Sequence, residues 1–205
     1  MVPSVVSSVV REQREPVSVG YGRLSPGGPM THHEKHHTHD DASGATPGAS
    51  AAHLVAEVEQ QQARLQLTRF DNDDAFRLGI LLVEMARERR LPVTVDVRRH
   101  GHVLFHVSLP GTTPDNDTWV ERKSRVVDRF GAPSFLVGLR SRLKGRTFEE
   151  DSGLAVQEYA AHGGSFPLTV RDVGPVGTVT VSGLPQAEDH ALVVEALEAF
   201  LDGRA

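Results

Sequence analysis

The residues of this sequence able to do chemistry fall around glycine turns. His162 precedes Gly163 and Gly164, and Ser182-Gly183 leads into the last helical segment. Free backbone N–H groups at such a helix start can receive a carboxylate, a propionate or a phosphate. A glycine-rich turn also forms between strand and helix with no ligand at all. Asp189 and His190 follow in the first turns of that helix, where the dipole favours the acid and repels an imidazolium, so His190 is expected neutral. A neutral imidazole can serve as ligand, hydrogen-bond donor or general base; the plainer reading is a capping Asp beside a surface His. Lys123 interrupts an apolar stripe of Trp119, Val120, Val126, Val127 and Phe130. Its stem either snorkels past Trp119 and Val127, or its ammonium meets Asp115, Asp117 or an anionic ligand. Arg98 and His102, expected as cross-strand neighbours, either extend such a pocket or face water. No nucleophile, base and orienter stand in a recognisable set, and no Walker or dinucleotide fingerprint is present.

Composition removes several classes. The chain has 205 residues, a net charge of −5, 39% apolar residues and no cysteine. Disulfides, thiolate zinc sites, cysteine nucleophiles and iron–sulfur clusters are therefore excluded. No basic stripe marks a nucleic-acid binder. The longest apolar run, Leu78 to Val83, is too short for a membrane span, and the overall balance is that of a cytoplasmic globule. His32, His33, His36, His37 and His39 can chelate a transition metal flexibly. They fall, however, in residues 1–50, whose polar and small composition cannot repay the entropy of folding. This segment is expected to be a disordered tail, with Met30 as an alternative start, and its histidines assign no metal to the domain expected over 51–205.

The elements follow from periodicity. Helical spacing predicts an outer helix over Ala51 to Leu67 and a central helix, buried on most sides, over Ala75 to Arg89. Val93, Val95 and Val97, then Val103, Phe105 and Val107, alternate with polar residues and predict a hairpin turning at Gly101. The expected register sets Val97 against Val103, Val95 against Phe105 and Val93 against Val107. Two helices follow, ending near Phe130 and Arg146, and Phe148 to Ser165 reads as loop. Phe166 to Arg171 and Val176 to Ser182 form a second hairpin, and Pro185 to Leu201 a last helix. Hairpins rather than βαβ alternation predict an α+β fold, an antiparallel sheet flanked by helices.

Several separated blocks carry a family resemblance: Arg69-Phe70-Asp71-Asn72, Leu109-Pro110-Gly111-Thr112 with Asp115-Asn116-Asp117 and Trp119, and Lys144 to Glu150. To these are added Ala161-His162-Gly163-Gly164 with Phe166-Pro167, and Gly177 to Gln186 with Asp189-His190. Together they resemble uncharacterised protein family 0303, within the haem-degrading-domain group that includes GlcG-like proteins and haem-binding sensors. The resemblance covers about Leu67 to Leu201. It implies a profilin-like α-β-α sandwich and assembly into homo-oligomers, and fixes no activity. The function expected is binding of a small molecule, haem or a small anion, by Arg98, Lys123, His162, Gly163, Gly164, Ser182, Gly183, Asp189 and His190. The alternative is an oligomeric protein-binding adaptor without catalysis.

Overall fold

A computed structural model describes residues 47–203; the histidine run and Met30 lie outside the described residues. The chain runs α1 (Pro47–Arg64), β1 (Gln66–Leu67), α2 (Asn72–Glu88), β2 (Thr94–Arg99), β3 (His102–Ser108), α3 (Pro114–Phe130) and α4 (Ser134–Leu143). It continues through α5 (Phe148–Ser152), β4 (Ser165–Val170), β5 (Gly174–Ser182) and α6 (Gln186–Leu201). The five strands lie in the order β1-β4-β5-β2-β3. All neighbours are antiparallel except β1, which adds to β4 in parallel.

Strand alternation gives this sheet two unlike faces. Val95, Val97, Val179 and Val181 are completely buried and share a core with Leu78 and Leu82 of α2 and Leu192, Val193 and Ala196 of α6. The intervening residues Thr94, Asp96, Thr178, Thr180 and Ser182 are almost as deeply buried. They make a polar face, and α3 covers it. A second apolar cluster joins Val58 of α1, Val126 of α3, Phe135, Leu136 and Leu139 of α4 and Phe148 of α5. A sheet flanked by helices is thus the observed architecture, as the hairpin pattern predicts.

The sequence-based expectations miss in four places. The first helix begins at Pro47 and stops at Arg64, and Gln66–Leu67 is an edge strand rather than its last turn. Two residues are too few to show a period-two pattern. The helix α2 is buried on one side only, with Phe76 57% exposed, because it lies on the sheet rather than inside a bundle. In the first hairpin Val97 faces Phe105 and Val95 faces Val107, while Arg98 faces Val103. A tight turn at His100-Gly101, both with positive φ, and a bulge at Leu104 produce this register, and residue patterning alone reports neither. Finally, part of the expected loop after Phe148 is α5, started by a capping box between Thr147 and Glu150.

Helix α2 meets the sheet through Gly79. A Cβ there would lie 2.3 Å from the Phe105 ring, far inside contact distance. Gly79→Ala is therefore expected to destabilise the fold by about 1–3 kcal/mol, the typical cost of overpacking, despite alanine's better helix propensity. Urea unfolding of the variant checks this; an unchanged midpoint would show that Phe105 moves aside freely.

Candidate functional site

Helix α3 places Asp115, Trp119 and Lys123 four residues apart, on one stripe. Its start is pinned to the β5–α6 turn, since Asn116 Nδ2 donates to the Ser182 carbonyl at 3.2 Å while Asn116 Oδ1 accepts the Thr113 N–H. Between the stripe and that turn opens a cleft of about 260 Å³, walled also by His162, Ser182, Gly183, Gln186 and Asp189. Five of the nine predicted site residues therefore meet here: Lys123, His162, Ser182, Gly183 and Asp189.

Lys123 is only 3% exposed, so it does not snorkel. Its Nζ donates to Asp189 Oδ2 at 2.7 Å and to the Val181 carbonyl at 3.2 Å, which leaves one N–H uncommitted. The acid it meets is thus on α6, not Asp115 or Asp117 on its own helix. Burial pulls the ammonium below the usual lysine range, and the Asp189 charge opposes that fall. Burial likewise pushes the Asp189 carboxyl up, against Lys123 and the backbone donors. Gly164 makes this pair fit: a Cβ there would lie 2.9 Å from Nζ and 2.3 Å from the Val181 oxygen. Gly163 does the same for α6, where a Cβ would lie 1.9 Å from the Gln186 carbonyl oxygen.

The anion expected at the Ser182-Gly183 turn is already present as part of the protein. Asp189 accepts from Leu184 N at 3.0 Å and Gly183 N at 3.4 Å. The turn's donors thus serve structure, and the groups left for a ligand are side chains. The Ser182 hydroxyl makes no hydrogen bond among the described residues, and Gln186 Oε1 is buried without a partner.

His162 stands exposed at the rim, its ring edge-on to Trp119 with centroids 5.2 Å apart. Partial burial lowers its pKa, and the charges of Lys123, Arg142 and Arg122 lower it further. It is therefore a neutral imidazole in a cationic setting. It also walls a second hollow, of about 480 Å³, together with Arg142, Arg146 and Phe148.

Two predicted residues lie elsewhere. His190 points away from the cleft, packed by Phe135 and Phe166, with Nε2 against Gln61 Oε1 at 2.8 Å. It is neutral as expected, but the cause is burial, which lowers its pKa to about 4, rather than the helix dipole. Arg98 belongs to the polar layer under α3. It binds Asp96 at 2.6 Å and Glu121 at 2.8 Å, while His106 Nδ1 meets Asp96 at 2.8 Å. His102 pairs with Arg99 across the hairpin, so Arg98 and His102 do not form a pocket together. Trp119, Asn116 and Gln186 were not singled out as ligand contacts from sequence. The spacing of Trp119 and Lys123 from Asp115 is the signal that could have found the first.

This α/β sandwich with a polar cleft between α3 and the β5–α6 turn defines a class of domain. Residues 70–198 match the model of the haem degrading protein HbpS-like family, and the chain belongs to it. A UPF0303 protein of Streptomyces coelicolor is 63% identical over 153 residues, covering 75% of this chain and 97% of that protein. Among solved structures, the Ybr137w protein is similar with a TM-score of 0.68 and 36% identity, over 73% of this chain and 88% of that one. The PduOC:Heme complex shares the fold at a TM-score of 0.55 and 18% identity, over 63% of this chain and 94% of that one. Among the described residues no helix is long and apolar enough to cross a membrane.

Proposed function

We propose that this is a small-molecule-binding protein whose ligand seats in the α3 cleft and is held there by a carboxylate or similar oxyanion. The observation that carries the reading is Lys123: an ammonium sealed from bulk water on all sides but the cleft, fixed by Asp189, with one donor left in a cleft that Ser182 also lines. A charge-assisted hydrogen bond from a desolvated, pre-positioned donor is among the stronger polar contacts a pocket can offer. The volume, just under that of drug-sized pockets, suits a metabolite.

Haem is a specific second reading. It is flat and carries two carboxylates, and the neutral, exposed imidazole of His162 would hold its iron. His162 faces hollows on both sides, with Arg142 and Arg146 available to the propionates. The haem complex formed by a protein of the same fold supports it. Titrating the protein with hemin is expected to give a Soret shift at micromolar concentration that His162→Ala weakens about tenfold or more. No shift in the parent protein would remove haem and leave the small oxyanion, which chemical-shift titration with simple carboxylates tests directly.

A further inference from the structure

Resting on that carboxylate reading, we propose that the cleft is built for an extended zwitterion, with a carboxylate at Lys123 and an ammonium at Asp115. Eight residues of helix separate the two positions, about 12 Å of backbone rise along the axis. Trp119 lies midway in sequence, so along the helix the cleft presents acid, indole and ammonium in that order. Among the described residues Asp115 has no ion-pair partner. Its one hydrogen bond is from Trp119 Nε1, at 3.1 Å to Oδ2, which turns the carboxylate along the cleft and leaves Oδ1 unused. The indole has the Arg122 guanidinium 4.5 Å from its ring centroid and the His162 ring steeply inclined to it, with centroids 5.2 Å apart. The indole nonetheless lines the cleft between the two charged residues.

That order selects a molecule. A second carboxylate placed at Asp115 would be repelled, and a diamine would set a cation against Lys123. An α-amino acid is too short to span the two stations. A chain of several methylenes with an amine at one end and a carboxylate at the other satisfies both charges and lays its apolar middle on the indole. The ligand class is an ω-amino carboxylate, or a molecule presenting the same separation of charges.

Trp119 is the chain's only tryptophan, so its indole N–H gives one NMR signal that reports on the cleft. The full-length protein is titrated separately with δ-aminovalerate, valerate, glutarate and cadaverine. δ-Aminovalerate is expected to move the signal and to bind about tenfold tighter than each of the others, the worth of one charge-assisted hydrogen bond. In Asp115→Asn, which keeps an oxygen for the indole N–H, the preference for δ-aminovalerate over valerate should disappear. Equal binding of valerate and δ-aminovalerate, or an Asp115→Asn variant that retains the preference, overturns the zwitterion and leaves the carboxylate site standing. Failure of every carboxylate probe to move the signal overturns both.

Discussion

Lys123→Met is expected to lower the folding free energy by about 3–5 kcal/mol, the usual cost of leaving one partner of a buried ion pair behind. Asp189 is 1% exposed and Lys123 4% by side chain, so the carboxylate left behind meets water only from the cleft side. Methionine keeps the length of the stem, which separates the charge from the packing. Adding Asp189→Asn should recover part of the loss, because a neutral amide no longer requires a counter-ion and its oxygen still accepts from Leu184 N. Equilibrium unfolding of the two single variants and the double gives the coupling directly. Strictly additive losses would show that the two charges do not sense each other, and the proposed ligand donor would lose its anchor.

Acid should weaken this fold through His190. Its folded pKa is depressed to about 4 from the ordinary 6.5, so below pH 6.5 the unfolded chain takes up a proton that the folded chain refuses. The stability that the neutral ring contributes is present above pH 6.5 and is lost as pH falls toward 4, amounting to about 3 kcal/mol across that window. Asp71, Glu121, Asp151 and Glu195, which their partners hold below the usual carboxylate range, also cost stability in acid. The measurement is therefore the difference in unfolding free energy between the parent protein and His190→Gln as a function of pH. The variant is expected to lose about 3 kcal/mol less between pH 6.5 and 4. Parallel curves would show that the imidazole protonates where it lies.

Much of this architecture was legible because the residues obey simple periods. Val95, Val97, Val179 and Val181 announce strands with one apolar face, and the stripe from Trp119 to Phe130 announces α3. What periodicity cannot report is anything decided by a single backbone conformation. The turn at His100-Gly101 and the bulge at Leu104 set Arg98 against Val103 rather than His102, and its ion pairs with Asp96 and Glu121 hold it under α3. The site was legible in part for the same reason. Lys123 stood out as a charge on an apolar stripe, and Gly163-Gly164 and Ser182-Gly183 as turns. Its acid could not be identified from α3, because Asp189 arrives from 66 residues away through the packing of α6. His190 shows the converse case: the sequence gives a neutral ring for a reason that the packed structure replaces with another.

Asp189 fills the turn between β5 and α6 with a carboxylate of the chain's own, and this has a kinetic and thermodynamic meaning for whatever enters the cleft. A wall that waited for an external anion would be loose without it, and each binding event would have to order the turn. Here the donors of Gly183 and Leu184 are satisfied by Asp189 and Lys123 is held in place by the same carboxylate, so the proposed ligand would meet groups that the fold has already fixed. Association then costs little beyond the ligand's own freedom, and free and bound proteins should superpose closely, as preorganised sites do.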